Sequence, residues 1–132
     1  MQPVRCAGGG TVDDVTTPKH LYRHGFASGK DSTKGVAIAA HLAARGLDLE
    51  RLDLRVPSFE HLRLSAMLDV VGRAIGGPDD RAILLGSSLG GLTAARLAER
   101  DARVSALFLL APAFQLVTRW RARVGEAEWP AW

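Results

Sequence analysis

The chain is short of the residues that several protein classes depend on. It holds one cysteine, Cys6, in 132 residues. A disulfide framework needs pairs, so none forms within the chain, and a lone thiol fits a reducing compartment. Cys6 lies in an irregular stretch and is assigned no role. Aromatic residues make up only 6 %. No apolar run approaches the roughly 18 residues that span a bilayer. The start, MQPVRCAGGG, lacks the apolar centre of a secretory signal. A cytoplasmic location is therefore expected, with no membrane partner. The net charge of +3 and pI of about 9.6 raise nucleic acid as a partner. Basic residues, mostly Arg, are spread along the chain among Asp and Glu, without a basic stripe and interleaved aromatics. No nucleic-acid partner is expected. Neither a metal nor a cofactor is implied.

What is present suits one soluble domain: 47 % hydrophobic and 23 % charged residues. A chain near this length buries roughly 68 % of its unfolded surface, enough for a core. Residues 1–18 read as a loose tail, with a poor strand near Thr11 to Val15, and residues 19–132 as the domain. His20 to Arg23 is a short strand candidate. Gly35 to Arg45 has helical spacing, with Ala37, Ile38, His41 and Leu42 suited to a sheet-facing side. Leu49 to Leu54 is a second strand. A helix is expected from Pro57-Ser58-Phe59-Glu60, with Ser58 as cap and Leu64, Met67, Leu68, Val71 and Ile75 as its apolar face. Val104 to Leu110 is a buried-type strand. Gln115 to Trp132 holds all three Trp and has only weak periodicity.

Arg81 to Arg100 is the most informative stretch. An apolar run, Ala82 to Leu85, breaks at Gly86-Ser87-Ser88-Leu89-Gly90-Gly91. Helical spacing follows, with Leu89, Leu92, Ala95, Leu97 and Ala98 available to one face. Strand, sharp turn and helix enclose a G-x-S-x-G pattern at Gly86, Ser88 and Gly90. A nucleophile at the tip of such a turn needs small neighbours two residues away on each side. The Leu89 amide, at the helix start, then points to where an oxyanion would develop. A plain Gly/Ser-rich connection is the competing reading. A phosphate loop is not, because Leu92-Thr93 stands where Lys-Ser/Thr is required. A dinucleotide fingerprint also fails, since no G-x-G precedes the helix. The alternation of strands and helices implies a parallel sheet covered on both faces, an α/β three-layer sandwich. Ligands of such sheets sit beyond the carboxyl ends of the strands. His24-Gly25-Phe26, Pro57-Ser58-Phe59, Gly86 to Gly91 and Ala111 to Phe114 all belong there.

Four of these segments together resemble one family. Leu21-Tyr22-Arg23-His24-Gly25-Phe26-Ala27-Ser28, Asp53 to Leu62 (DLRVPSFEHL), Ile83 to Gly91 (ILLGSSLGG) and Leu109 to Phe114 (LLAPAF) look like successive blocks of the YqiA-type bacterial esterases, within the α/β-hydrolase superfamily. The resemblance covers about residues 20–132. It implies a serine esterase acting on a small acyl ester, with Ser88 as nucleophile. It implies an oxyanion hole from the amides of Phe26 and Leu89, and His24 and Gly25 as supports of the first loop. His24 is read as structural, because the base of this fold comes late in the chain. Phe59 and Phe114 are read either as acyl-pocket walls or as core.

Two departures stand out. Arg23 occupies an apolar position of the family's first strand, so that strand is expected to be less buried or locally distorted. All four histidines (His20, His24, His41, His61) precede Ser88, whereas the triad order of this fold is Ser, acid, His. The chain is therefore expected to be the amino-terminal part of a hydrolase, truncated after about four strands. A carboxy-terminal segment would supply Asp and His, and esterase turnover of this chain alone would be low. Val104 to Leu110 would then form an open sheet edge. Two other readings stand beside this one. The sheet could be a non-catalytic module or remnant. Ser28-Gly29-Lys30-Asp31-Ser32 also resembles the S-G-G-x-D-S nucleotide loop of ATP pyrophosphatases, though its second Gly is lost.

Overall fold

The computed structural model describes residues 16–125. The expected strand near Thr11 and Cys6 lie outside them, as does nearly all of the expected tail. Four strands, β1 (Lys19–Arg23), β2 (Leu49–Leu52), β3 (Ala82–Ser87) and β4 (Val104–Leu110), alternate with four helices. These are α1 (Thr33–Ala43), α2 (Leu64–Ile75), α3 (Leu89–Ala98) and α4 (Leu116–Val124). The strands form one parallel sheet in the order β2-β1-β3-β4. Each parallel neighbour is reached through a helix, as the alternating sequence pattern requires.

The period-2 geometry of β1 assigns its two faces. Tyr22 meets α1, where a Cβ on Gly35 would lie 2.7 Å from the phenol ring. Leu21 and Arg23 point the other way, beside Leu84 and Gly86 of β3. There α2 and α3 cover the sheet, and Leu21, Leu84, Val71, Ile75, Met67 and Ala94 close the core. Among the described residues no helix is long and apolar enough to cross a membrane.

The helix faces differ in part from the sequence reading. In α1 the inward side is Gly35, Ile38, Ala39 and Leu42, while Ala37 and His41 are exposed. The close approach at Gly35 rotates the helix toward its smallest side chain. Helix α2 begins at Leu64 with Arg63 at the cap position and no side-chain cap, so Ser58 does not start it. Residues 57–63 instead form turns, and the helix draws its stability from the buried Met67, Val71 and Ile75. In α3 the buried residues are Gly90, Gly91, Thr93, Ala94 and Leu97. The leucines at 89 and 92 flank that stripe. Small residues face the sheet because the helix lies very close to it.

Arg23 overturns a second expectation. β1 pairs regularly on both sides, and Arg23 is fully buried. Its Nε, Nη1 and Nη2 find no hydrogen-bond partner among the described residues. Burial pulls the guanidinium down from its ordinary value to about 9, because an apolar interior disfavours the charged form. At the other margin β4 pairs only with β3, and Phe108 remains 59 % exposed. The expected open edge is present among the described residues.

Candidate active site

Ser88 stands between β3 and α3 with φ 52° and ψ −116°. That conformation costs an L-residue about 1–3 kcal/mol and persists only where the surroundings impose it. Here they do. The Ser88 amide donates to Leu110 O at 3.0 Å, and the Ser88 carbonyl accepts from Gly91, Leu92 and Ala113 at 2.9–3.1 Å. Ala27 (φ 55°), Ala111 (φ 43°) and Gln115 (φ 61°) are the other non-glycine residues with positive φ among the described residues. All four lie on loops at the carboxyl ends of the strands, so backbone strain is concentrated at one rim.

The G-x-S-x-G spacing has a direct steric cause. A Cβ on Gly86 would lie 2.6 Å from the Gly90 carbonyl carbon and 2.7 Å from Gly91 Cα. A Cβ on Gly90 would meet the backbone carbonyls of Arg23 and His24. The first loop closes against the serine from the other side, where a Cβ on Gly25 would lie 3.2 Å from Ser88 Cβ and 3.8 Å from its Oγ. His24-Gly25-Phe26 and Ser88 thus share one rim, in contact.

His24 is buried and both ring nitrogens are engaged. Nδ1 lies 2.8 Å from Gly25 O, and the Leu54 amide donates to Nε2 at 2.9 Å. A carbonyl needs a donor and an amide needs an acceptor, so these contacts make Nδ1 the donor and Nε2 the acceptor. No lone pair remains to take a proton from Ser88. The grip on Gly25 O has a second effect. Carbonyl and N–H of one trans peptide point in opposite directions, so His24 also sets the direction of the Phe26 N–H. Asp53 Oδ1 is 3.4 Å from Nε2. The Arg55 guanidinium, bonded to Asp53 at 2.9 Å, holds that carboxyl well below the ordinary carboxylate range. Replacing His24 with alanine leaves the buried Leu54 amide without an acceptor. It is expected to lower the unfolding free energy by about 2 kcal/mol in urea titrations.

Two cavities meet at Phe114. One of about 510 Å³ is lined by Ser88, Pro112, Phe114, Arg119, Trp120 and Arg123, among others. The second, about 730 Å³, is mainly apolar, with Phe26, Leu62, Met67, Leu89, Leu92 and Phe114 in its wall. Both volumes fall in the range of small-molecule sites. Phe59 stacks on Phe26 at 5.6 Å but lines neither. Phe59 and Phe114 are 45 % and 46 % exposed, so neither is core. No histidine lines the cavity that holds Ser88.

The sequence reading did not single out Lys34, Arg119, Trp120 or Arg123. Lys34 Nζ donates to Ser87 Oγ at 3.4 Å, and the Trp120 ring meets Phe26 at 6.5 Å. The helical spacing of α4 was too weak to orient its side chains in advance. Ser28 to Ser32 form the β1–α1 loop, where Ser32 caps α1 and Asp31 pairs with Arg51 at 3.1 Å. Among the described residues no group of three or more His, Cys, Asp or Glu could hold a metal.

The pattern of an uncharacterised protein family, UPF0227, matches residues 19–132. No curated protein matches the chain. Among solved structures the chain is similar to polyneuridine aldehyde esterase, with a TM-score of 0.61 and 16 % identity over 83 % of this chain. The match covers 49 % of that esterase, so the chain spans about half its length. The likeness is one of fold, that of an α/β-hydrolase: a parallel sheet with helices on both faces.

Proposed function

The chain belongs to the uncharacterised family UPF0227, the YqiA-type esterases that its sequence blocks resemble, and on that basis we propose that residues 19–132 carry the nucleophile-bearing part of a serine esterase domain. Ser88 attacks the acyl carbonyl. The amides of Phe26 and Leu89 receive the developing oxyanion, and His24 and Gly25 hold the first loop in place. Phe114 walls the acyl pocket, and Phe59 supports Phe26 from behind. The observation that carries this reading is the strained Ser88 backbone, φ 52°, pressed against the Gly25 loop. A plain connection has no need of either.

None of the histidines lines the cavity that holds Ser88. All four histidines precede Ser88, and His24 is fully engaged by backbone groups. Turnover of this polypeptide is therefore low, while the oxyanion site retains part of the rate enhancement, as it does in triad-deleted hydrolases.

Diisopropyl fluorophosphate separates the two properties: Ser88 Oγ bonds to phosphorus, fluoride leaves and the hydroxyl proton passes to water, a single event that needs the nucleophile and the oxyanion site but no turnover. Modification is expected slowly and at Ser88 alone. It should be on the order of a hundred-fold faster than in the urea-unfolded chain, the scale of an oxyanion-hole contribution. Ser88→Ala should abolish it. Labelling spread over several serines, at the same rate folded and unfolded, would refute the assignment.

A further inference from the structure

The cavity that holds Ser88 has an uneven charge. Arg119 and Arg123 line it, and among the described residues no Asp or Glu does. The two arginines are one helical turn apart on α4, so they present their charges on the same side. A cation in the last turn suits the helix dipole, which accounts for Arg123, but a second like charge four residues earlier weakens the helix, so Arg119 is not explained by helix stability. Most other arginines near a carboxylate are paired: Arg51 with Asp31, Arg55 with Asp53, Arg96 with Glu99 and Arg103 with Asp101. Among the described residues Arg119 and Arg123 make no ion pair. Beside them stand the Phe114 and Trp120 rings, which give a ligand an apolar wall. The second cavity, across Phe114, carries one paired Arg96–Glu99 couple and is otherwise mainly hydrocarbon.

We propose that the substrate is an acidic ester, with an apolar part in the groove beside Phe26 and Leu89 and an anionic group, carboxylate or phosphate, against Arg119 and Arg123. The inference rests on Ser88 as the reacting centre, because Ser88 lines the cavity that carries the arginines and the apolar cavity adjoins it across Phe114. Guanidinium groups suit both anions, since their planar donor fork matches paired oxygens. A neutral ester of the same size would fill the same space and leave two cations that no carboxylate among the described residues pairs.

The test uses the full chain carrying Ser88→Ala, so that no ligand is consumed. Monobutyl succinate, monobutyl phosphate and neutral dibutyl succinate are titrated calorimetrically. At least one monoanion is expected to bind ten-fold or more tighter than the diester, and the tighter of the two identifies the anion. Raising the salt from about 50 to about 500 mM should weaken the anion and leave the diester unchanged. Arg119→Gln with Arg123→Gln should bring anion and diester within two-fold of each other. Equal binding of anions and diester, or an anion preference that survives the double substitution, overturns the proposal. The ligand comparison stands even if the double variant fails to fold. Binding is read without Ser88, so lost anion preference with intact Ser88 labelling refutes this inference alone. The opposite result refutes the nucleophile reading alone.

Discussion

Gly90→Ala is expected to lower the unfolding free energy by about 4 kcal/mol, a large share of the 5–15 kcal/mol that holds a domain together. The reason is not helix propensity, which favours alanine by about 1 kcal/mol. The new methyl would sit 2.6 Å from His24 O and 2.7 Å from the Arg23 carbonyl carbon. Both belong to backbone that cannot yield. Arg23 is paired on both sides within the sheet, and the carbonyl that follows leads into the loop pinned by His24. Helix α3 would have to lift off β1, opening the core around Ala94 and Leu97. Ser88, one peptide away from the helix start, would move with it. Urea unfolding gives the stability and fluorophosphate labelling gives the site. Gly29→Ala is the control, because its Cβ would meet only the Arg55 side chain at an ordinary 3.5 Å. Equal midpoints for the two variants would contradict this account.

Arg23→Met is expected to have the opposite sign. An unpaired guanidinium in the core carries a desolvation penalty that nothing among the described residues offsets. Methionine is long and flexible enough to occupy similar space. A gain of about 3 kcal/mol at pH 7 is expected, within the range seen when buried charged groups give way to apolar ones. The pH dependence identifies the cause. The folded-state value is pulled down to about 9, well below that of the free side chain, so between the two the unfolded chain binds more protons. Wild-type stability therefore rises with pH across that window relative to the variant, by up to about 1.4 kcal/mol per unit. The advantage of Arg23→Met should shrink between pH 9 and pH 11. A gap that is constant with pH, or a destabilised variant, would show that the charge is not the issue.

Much of the architecture was legible because its signals are local. Apolar runs bounded by Gly and Pro marked the strands, and G-x-S-x-G encoded a steric requirement that Gly86 and Gly90 display directly. His24, read as structural, contacts two backbone groups through its ring nitrogens. What was not legible depends on distance between layers. Leu89 and Leu92 looked like the sheet-facing residues of α3. The close approach at Gly90 turned that side of the helix inward instead, with Thr93 and Ala94. Thr93 is tolerated there because its hydroxyl donates to Leu89 O at 2.9 Å. Ser58 had the chemistry of a cap, but helix α2 starts at Leu64. Arg23 looked incompatible with a buried strand because residue type alone does not say which strand lies centrally, with neighbours on both sides. The arginines of α4 escaped notice because a helix of 9 residues gives little periodicity to read.

The carbonyl of Ser88 answers to two masters. It closes the first turn of the helix behind it, through Gly91 and Leu92, and it receives the Ala113 amide from the segment ahead. That segment leads within a few residues to Arg119 and Arg123. One oxygen atom thus ties the turn that presents the serine to the stretch of chain that carries the arginines.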